Sequence, residues 1–129
     1  MKGFSLLQLI IVIAIISIIA GTLSFKYSAS LDNVKLTAVT KAISEDLRSL
    51  QIKAMAKGAD LEVVFSKDSY TIDGQEKKLP SSVEIVNPQT VKFSANLTPV
   101  PTYFGTITLR ASEKTKKIII SSLGRIRVE

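Results

Sequence analysis

The sequence predicts an α+β protein in which one long N-terminal helix, its first half transmembrane, packs on a C-terminal antiparallel β-sheet domain. Three observations predict it. No charged residue occurs over 3–25, a one-faced apolar periodicity follows over 36–54, and beyond Gly58 the chain breaks into short β-branched runs separated by turn residues.

Within the first segment, 9–20 is Leu, Ile, Val and Ala interrupted only by Ser17. At 1.5 Å per residue, roughly 20 apolar residues cross the ~30 Å hydrocarbon core of a bilayer. A cleaved secretory signal would have a shorter apolar core, of roughly 7 to 15 residues, set between a basic start and a small-residue cut site. A plain single-pass anchor is the other reading. Lys2 on the near flank favours a cytoplasmic N-terminus by the positive-inside tendency.

After Lys26 neither a proline nor a turn cluster intervenes, so the helix is expected to continue into water. Leu36, Val39, Ile43, Leu47, Leu50 and Ala54 recur at spacings of 3, 4, 4, 3 and 4, one face of an α-helix. Lys35, Lys41, Glu45, Arg48 and Lys53 mostly take the other faces, and Asp32-Asn33 is a place where the helix could loosen. Gly58 after Lys57 reads as the C-terminal stop.

The rest reads as strands at 61–65, 70–72, 76–79, 83–86, 91–93, 107–109, 118–120 and 126–128. Asp73-Gly74 signals a tight hairpin, Asn87-Pro88 a break, 96–101 a proline-containing loop and Gly124 the last turn. A helix whose apolar face needs cover, followed by antiparallel strands, gives a sheet wrapped against that helix.

Composition narrows the function. The 129 residues contain no cysteine and no histidine, which removes disulfides, thiolate and imidazole metal sites, and the Ser-His and Cys-His nucleophile pairs. Glu45-Asp46, Asp60 with Glu62, and Asp73 with Glu76 are scattered carboxylates that read as solvated faces. Ser121-Ser122 has no evident base, and Tyr70, Phe93, Tyr103 and Phe104 read as packing residues. No catalytic residue, cofactor or metal is expected. The net charge of +6 suits an anionic partner, although many exported domains carry such an excess without one.

The segment Lys2-Gly3-Phe4-Ser5-Leu6-Leu7-Gln8 and the apolar run after it resemble the class III signal of type IV pilins and type II secretion pseudopilins. The resemblance implies that a prepilin peptidase cuts between Gly3 and Phe4 and methylates the new N-terminal Phe4. It divides the chain into a leader at 1–3, a transmembrane and filament-core helix at 4–25, an amphipathic continuation at 26–58 and a β domain at 59–129, with 26–129 as the soluble globular part. The fifth mature position is usually glutamate in that family and neutralises a neighbour's N-terminal ammonium. Here it is Gln8, whose amide can bond but cannot cancel a buried charge. That departure implies a minor subunit, at filament initiation or tip, instead of the bulk repeating one.

Leu47-Arg48-Ser49, the run 61–65, Tyr70-Thr71-Ile72, the runs 105–109 and 118–120, and the closing Gly124-Arg125-Ile126-Arg127 are similar to FimT-like and type II secretion H-type minor pilins. In natural-transformation members that close contributes to DNA binding. Arg125 and Arg127, two apart, would share one strand face, with Ile126 and Val128 on the other. Arg110, Lys114, Lys116 and Lys117 precede them, six cations against Glu113 and Glu129 from position 110 onward. Such a cluster suits sequence-independent phosphate contact. Alternating arginines can equally solvate an exposed strand and discourage edge pairing.

The expectation is a structural, non-enzymatic subunit of a type IV pilus or type II secretion pseudopilus. Its partners would be other pilin subunits, the prepilin peptidase, and the inner membrane with its assembly platform. The β domain would be periplasmic, or on the filament surface of an assembled pilus. The alternative is a DNA-binding minor pilin acting as a receptor in uptake.

Overall fold

The computed structural model describes residues 3–95 and 105–129, with residues 24–29 described by backbone alone. The sequence-predicted loop at 96–101 and the packing roles of Tyr103 and Phe104 fall outside the described residues, as does Lys2. Helix α1 spans Leu6–Lys57 and runs through Asp32-Asn33 without interruption. The chain forms two compact units, Met1–Leu31 and Asp32–Glu129.

In the first unit the helix start is fixed by local chemistry. Ser5 precedes the first helical residue, and its carbonyl accepts the N–H groups of Gln8 at 2.9 Å and Leu9 at 3.2 Å. The Gln8 side chain reaches back, Oε1 accepting the Ser5 N–H at 3.2 Å. This Ser-x-x-Gln arrangement satisfies one of the backbone donors that a helix start leaves without an intrahelical partner.

In the second unit α1 presents Leu36, Thr40, Ile43, Ser44, Leu47, Leu50 and Ala54 as its buried face. The hydroxyls on it are satisfied within the helix, Thr40 donating to Leu36 O at 2.7 Å and Ser44 to Lys41 O at 2.8 Å. The helix closes as the sequence predicts. Gly58 takes φ +62°, its N–H bonds Met55 O, and Ala59 N–H bonds Ala54 O, each at 3.3 Å. These are the paired bonds of a Schellman end, which needs a left-handed residue where Gly58 sits.

Eight strands follow: β1 Leu61–Phe65, β2 Ser69–Ile72, β3 Gln75–Lys78, β4 Glu84–Ile85, β5 Thr90–Phe93, β6 Thr106–Ala111, β7 Lys114–Ile120 and β8 Ile126–Val128. They form two four-stranded antiparallel sheets, ordered β3-β2-β1-β5 and β4-β6-β7-β8, in keeping with the predicted antiparallel β-sheet domain, whose strand order the sequence leaves open. The break falls at Asn87-Pro88. Beyond β4, the Asn87 side chain takes over the pairing, Oδ1 accepting Thr108 N–H at 2.7 Å and Nδ2 donating to Thr106 O at 2.5 Å. Gln89 then turns to the first sheet, its carbonyl accepting Phe65 N–H at 2.8 Å while its side chain still donates to Thr106 O at 3.0 Å.

The β2–β3 turn is Asp73-Gly74 with φ of +50° and +77°, the two left-handed residues of a type I′ hairpin. The β6–β7 hairpin extends well beyond the predicted runs at 107–109 and 118–120. It turns at Ser112-Glu113, where Ser112 holds φ +55°. One core joins the helix face to both sheets, including Val63, Phe65, Val91 and Phe93 from the first and Ile107, Leu109, Ile118, Ile120 and Ile126 from the second. Each such side chain fully buried contributes about 1.5–3 kcal/mol.

Candidate functional site

Three places carry residues that could act outside the fold. The first is the N-terminal helix. Leu6–Leu23 has mean hydropathy 2.7 and none of it is buried, so it is long and apolar enough to cross a membrane. Its two hydroxyls are internally satisfied, Ser17 donating to Ile13 O at 2.8 Å and Thr22 to Ile19 O at 3.0 Å. The Gly3–Phe4 peptide bond lies outside the helix and ahead of the Ser5 cap. Phe4 is 86% exposed, and a Cβ at Gly3 would meet nothing within 4 Å.

The second place is the outward face of the β4-β6-β7-β8 sheet. Strand register places Arg110 opposite Thr115, Lys117 opposite Thr108, and Arg127 opposite Ile119. Directly opposed residues share a face, so Arg110, Lys117 and Arg127 stand together, away from the core-facing row Ile107, Leu109 and Ile118. Arg125 lies two residues before Arg127, just ahead of β8, and is exposed. Lys114 and Lys116 pair with Ala111 and Leu109 and so belong to the opposite face.

Two of the outward cations are already engaged. Arg110 is held by Glu84, with Nε donating to Oε1 at 2.9 Å and the guanidinium closing a second contact. The bond from Arg110, and then its charge, hold the Glu84 carboxyl below the usual range. Arg127 pairs with Glu129 at 3.3 Å. Arg125 and Lys117 have no ion pair among the described residues. Glu84 as a partner was not legible in the sequence, because 26 residues separate it from Arg110.

The third is a polar junction between the helix and the first hairpin. Asp46 Oδ2 accepts the Tyr70 hydroxyl at 2.6 Å and Lys77 Nζ at 2.7 Å, and Lys53 pairs with Asp73 at 3.7 Å. The cleft beside them, of about 140 Å³, is lined by these charges in balanced pairs. Partial burial works to raise the Asp46 carboxyl, but the bonds from Lys77 and Tyr70 outweigh it and hold it below the usual range. Burial, then the Asp46 bond and charge, push the Tyr70 hydroxyl up. The sequence alone places Asp46 on a solvated face, whereas the fold brings Tyr70 and Lys77 onto its carboxylate. Among the described residues, no group of three His, Cys, Asp or Glu side chains could hold a metal ion.

Comparison with solved structures finds the type IV minor pilin FimU of Pseudomonas aeruginosa strain PAO1. The match has a TM-score of 0.58 at 18% identity and covers 73% of this chain and 92% of that one. The fold is that of a type IV pilin. Its components here are the long apolar N-terminal helix and the antiparallel sheet domain. No protein-family model and no curated protein matches the chain.

Proposed function

We propose that this chain is a minor subunit of a type IV pilus or type II secretion pseudopilus, acting by assembly. The observation that carries the reading is the pairing of a type IV pilin fold with an N-terminal helix, Leu6–Leu23, that leaves every side chain uncovered. Such a surface needs lipid or other helices around it. Held first in the inner membrane, it exchanges lipid for equivalent helices of other subunits at little hydrophobic cost. The β domain then faces the periplasm or the filament surface.

Processing fits the same reading. The prepilin peptidase needs an extended backbone, and Gly3-Phe4 is exposed and precedes the helix cap. Removing Lys2 discards a charge from the helix end, and Phe4 becomes the methylated terminus. The mass of the chain purified from cells containing a prepilin peptidase tests this. Loss of Met1-Lys2-Gly3 with one added methyl supports the reading, while retention of all three residues, or a cut after Ala20, overturns it.

The DNA-receptor reading is favoured by one observation, the shared outward face of Arg110, Lys117, Arg125 and Arg127. Phosphate would be met by Arg125 and Lys117 first, since Glu84 and Glu129 already engage the other two.

A further inference from the structure

Among the described residues, the free edge of β8 has backbone groups with no partner. Lys117 and Glu129 exchange both of their hydrogen bonds, at 2.7 and 2.8 Å, and Ser121 N–H donates to Arg125 O at 3.0 Å. Antiparallel ladders alternate bonded and non-bonded pairs, so Ile118/Val128 and Ile120/Ile126 are the non-bonded ones. The N–H and C=O groups of Ile126 and Val128 therefore point away from β7. Among the described residues no strand lies on that side.

Of the other edges, β3 exposes Gln75, Glu76, Lys77 and Lys78 in succession, β4 has only two residues, and β5 carries Lys92. β8 carries no lysine or proline, and its one charged side chain, Arg127, stands on the outward sheet face and leaves the side of Ile126 and Val128 without a charge. Its side chains also lack cover. Ile126 and Val128 share the core-facing side, yet Val128 is 43% exposed while its partner Ile118 is fully buried. Among the described residues, the opposite face offers Arg125, without an ion pair, and Arg127, shared only with an exposed Glu129.

We propose that β8 is a strand-addition site. It accepts, along its free edge, an extended segment of a partner protein with apolar side chains on the face that covers Val128 and carboxylates on the face that meets Arg125 and Arg127. Main-chain bonds at Ile126 and Val128 set the register, and the alternating side chains select the partner. Nucleic acid offers no strand to complete the sheet. The inference stands apart from the filament reading, since it depends on the edge and not on the apolar helix.

The test uses the full chain in detergent micelles with two labelled ten-residue peptides as probes, one alternating valine with glutamate and one alternating valine with lysine. In the free chain the Ile126 and Val128 amides exchange quickly and the Arg127 amide, bonded within the ladder, slowly. The glutamate peptide binds and slows exchange at Ile126 and Val128, and the lysine peptide binds at least about tenfold more weakly. Val128→Pro removes an N–H that β7 does not use, and so loses the peptide while keeping the melting temperature. Val128→Lys, which leaves the backbone intact and guards the edge, gives the same loss if proline disturbs the strand. Slow exchange at Ile126 and Val128 in the free chain overturns the proposal. So does failure of the glutamate peptide to bind, equal binding by a folded Val128 variant, or binding that needs Arg125 and Arg127 but leaves the two amides unprotected.

Discussion

Tyr70 donates its hydroxyl to Asp46 at 2.6 Å, tying the first hairpin to the middle of the helix across 24 residues of sequence. Lys77, from the next strand, reaches the same carboxylate oxygen. Removing the donor with Tyr70→Phe keeps the ring, which stacks on Phe65 with centroids 5.8 Å apart. The expected cost is about 1–2 kcal/mol by thermal or urea melts. The pH dependence follows from the directions of the two shifts. Tyr70, raised, contributes stability that is present below its ordinary value of 10.0 and is lost as pH rises toward its folded value. Asp46, lowered, contributes stability present above its ordinary value of 3.8 and lost as pH falls through its folded one. Tyr70→Phe is therefore expected to flatten the alkaline limb of the stability curve; an unchanged limb counts against the junction.

Gly58 ends the helix at φ +62° with open space where a Cβ would sit, so only backbone conformation opposes a side chain there. Gly58→Ala is expected to destabilise Asp32–Glu129 by about 1 kcal/mol, and Gly58→Asn by less, since asparagine tolerates the left-handed region. Urea melts of the two variants rank them. Equal loss from both would point to a different cause.

If the outward sheet face binds duplex DNA, its cations should contribute unequally. Arg125→Ala is expected to weaken binding more than Arg110→Ala, because Glu84 already holds Arg110. Lys114→Ala, on the opposite face, is expected to change nothing. Affinity should fall with salt at a log-log slope of about −0.9 per phosphate neutralised, and Arg125→Ala with Arg127→Ala should flatten it by about two contacts. Titrations at several salt concentrations, with a circular-dichroism melt as control, measure both. No binding at low salt removes the receptor reading.

Gln8 spends its acceptor on Ser5 N–H within its own chain. Gln8→Glu preserves that acceptor, so no gain in filament incorporation is expected from it in co-purification. Gln8→Ala deletes the bond, and Ser5 amide exchange should quicken about fivefold for a cap worth roughly 1 kcal/mol. A large gain in incorporation with glutamate would mark the chain as a suboptimal shaft subunit.

Much of this fold is legible because its signals are local. An uncharged stretch, a 3.6-residue periodicity and Gly58 locate the helix, and Asp73-Gly74 locates the first hairpin, all from neighbours in sequence. The division into two sheets is not legible, because it rests on Asn87 and Gln89 side chains replacing backbone partners. The β6–β7 turn was hidden for a related reason, Ser112 taking a left-handed φ that sequence reading reserves for glycine or asparagine. The basic cluster shows the same limit. Spacing groups Arg125 with Arg127, but only register separates Lys114 and Lys116 from Lys117, and only the tertiary fold brings Glu84 to Arg110.

The inward-folded hydroxyls of Ser17 and Thr22 have a mechanical meaning. Over 9–23 the helix carries no other polar side chain, so its surface offers shape and no side-chain hydrogen bond to whatever covers it. If this segment packs among other helices, as proposed above, side-chain hydrogen bonds from 9–23 would not fix its position, and shape alone would do so.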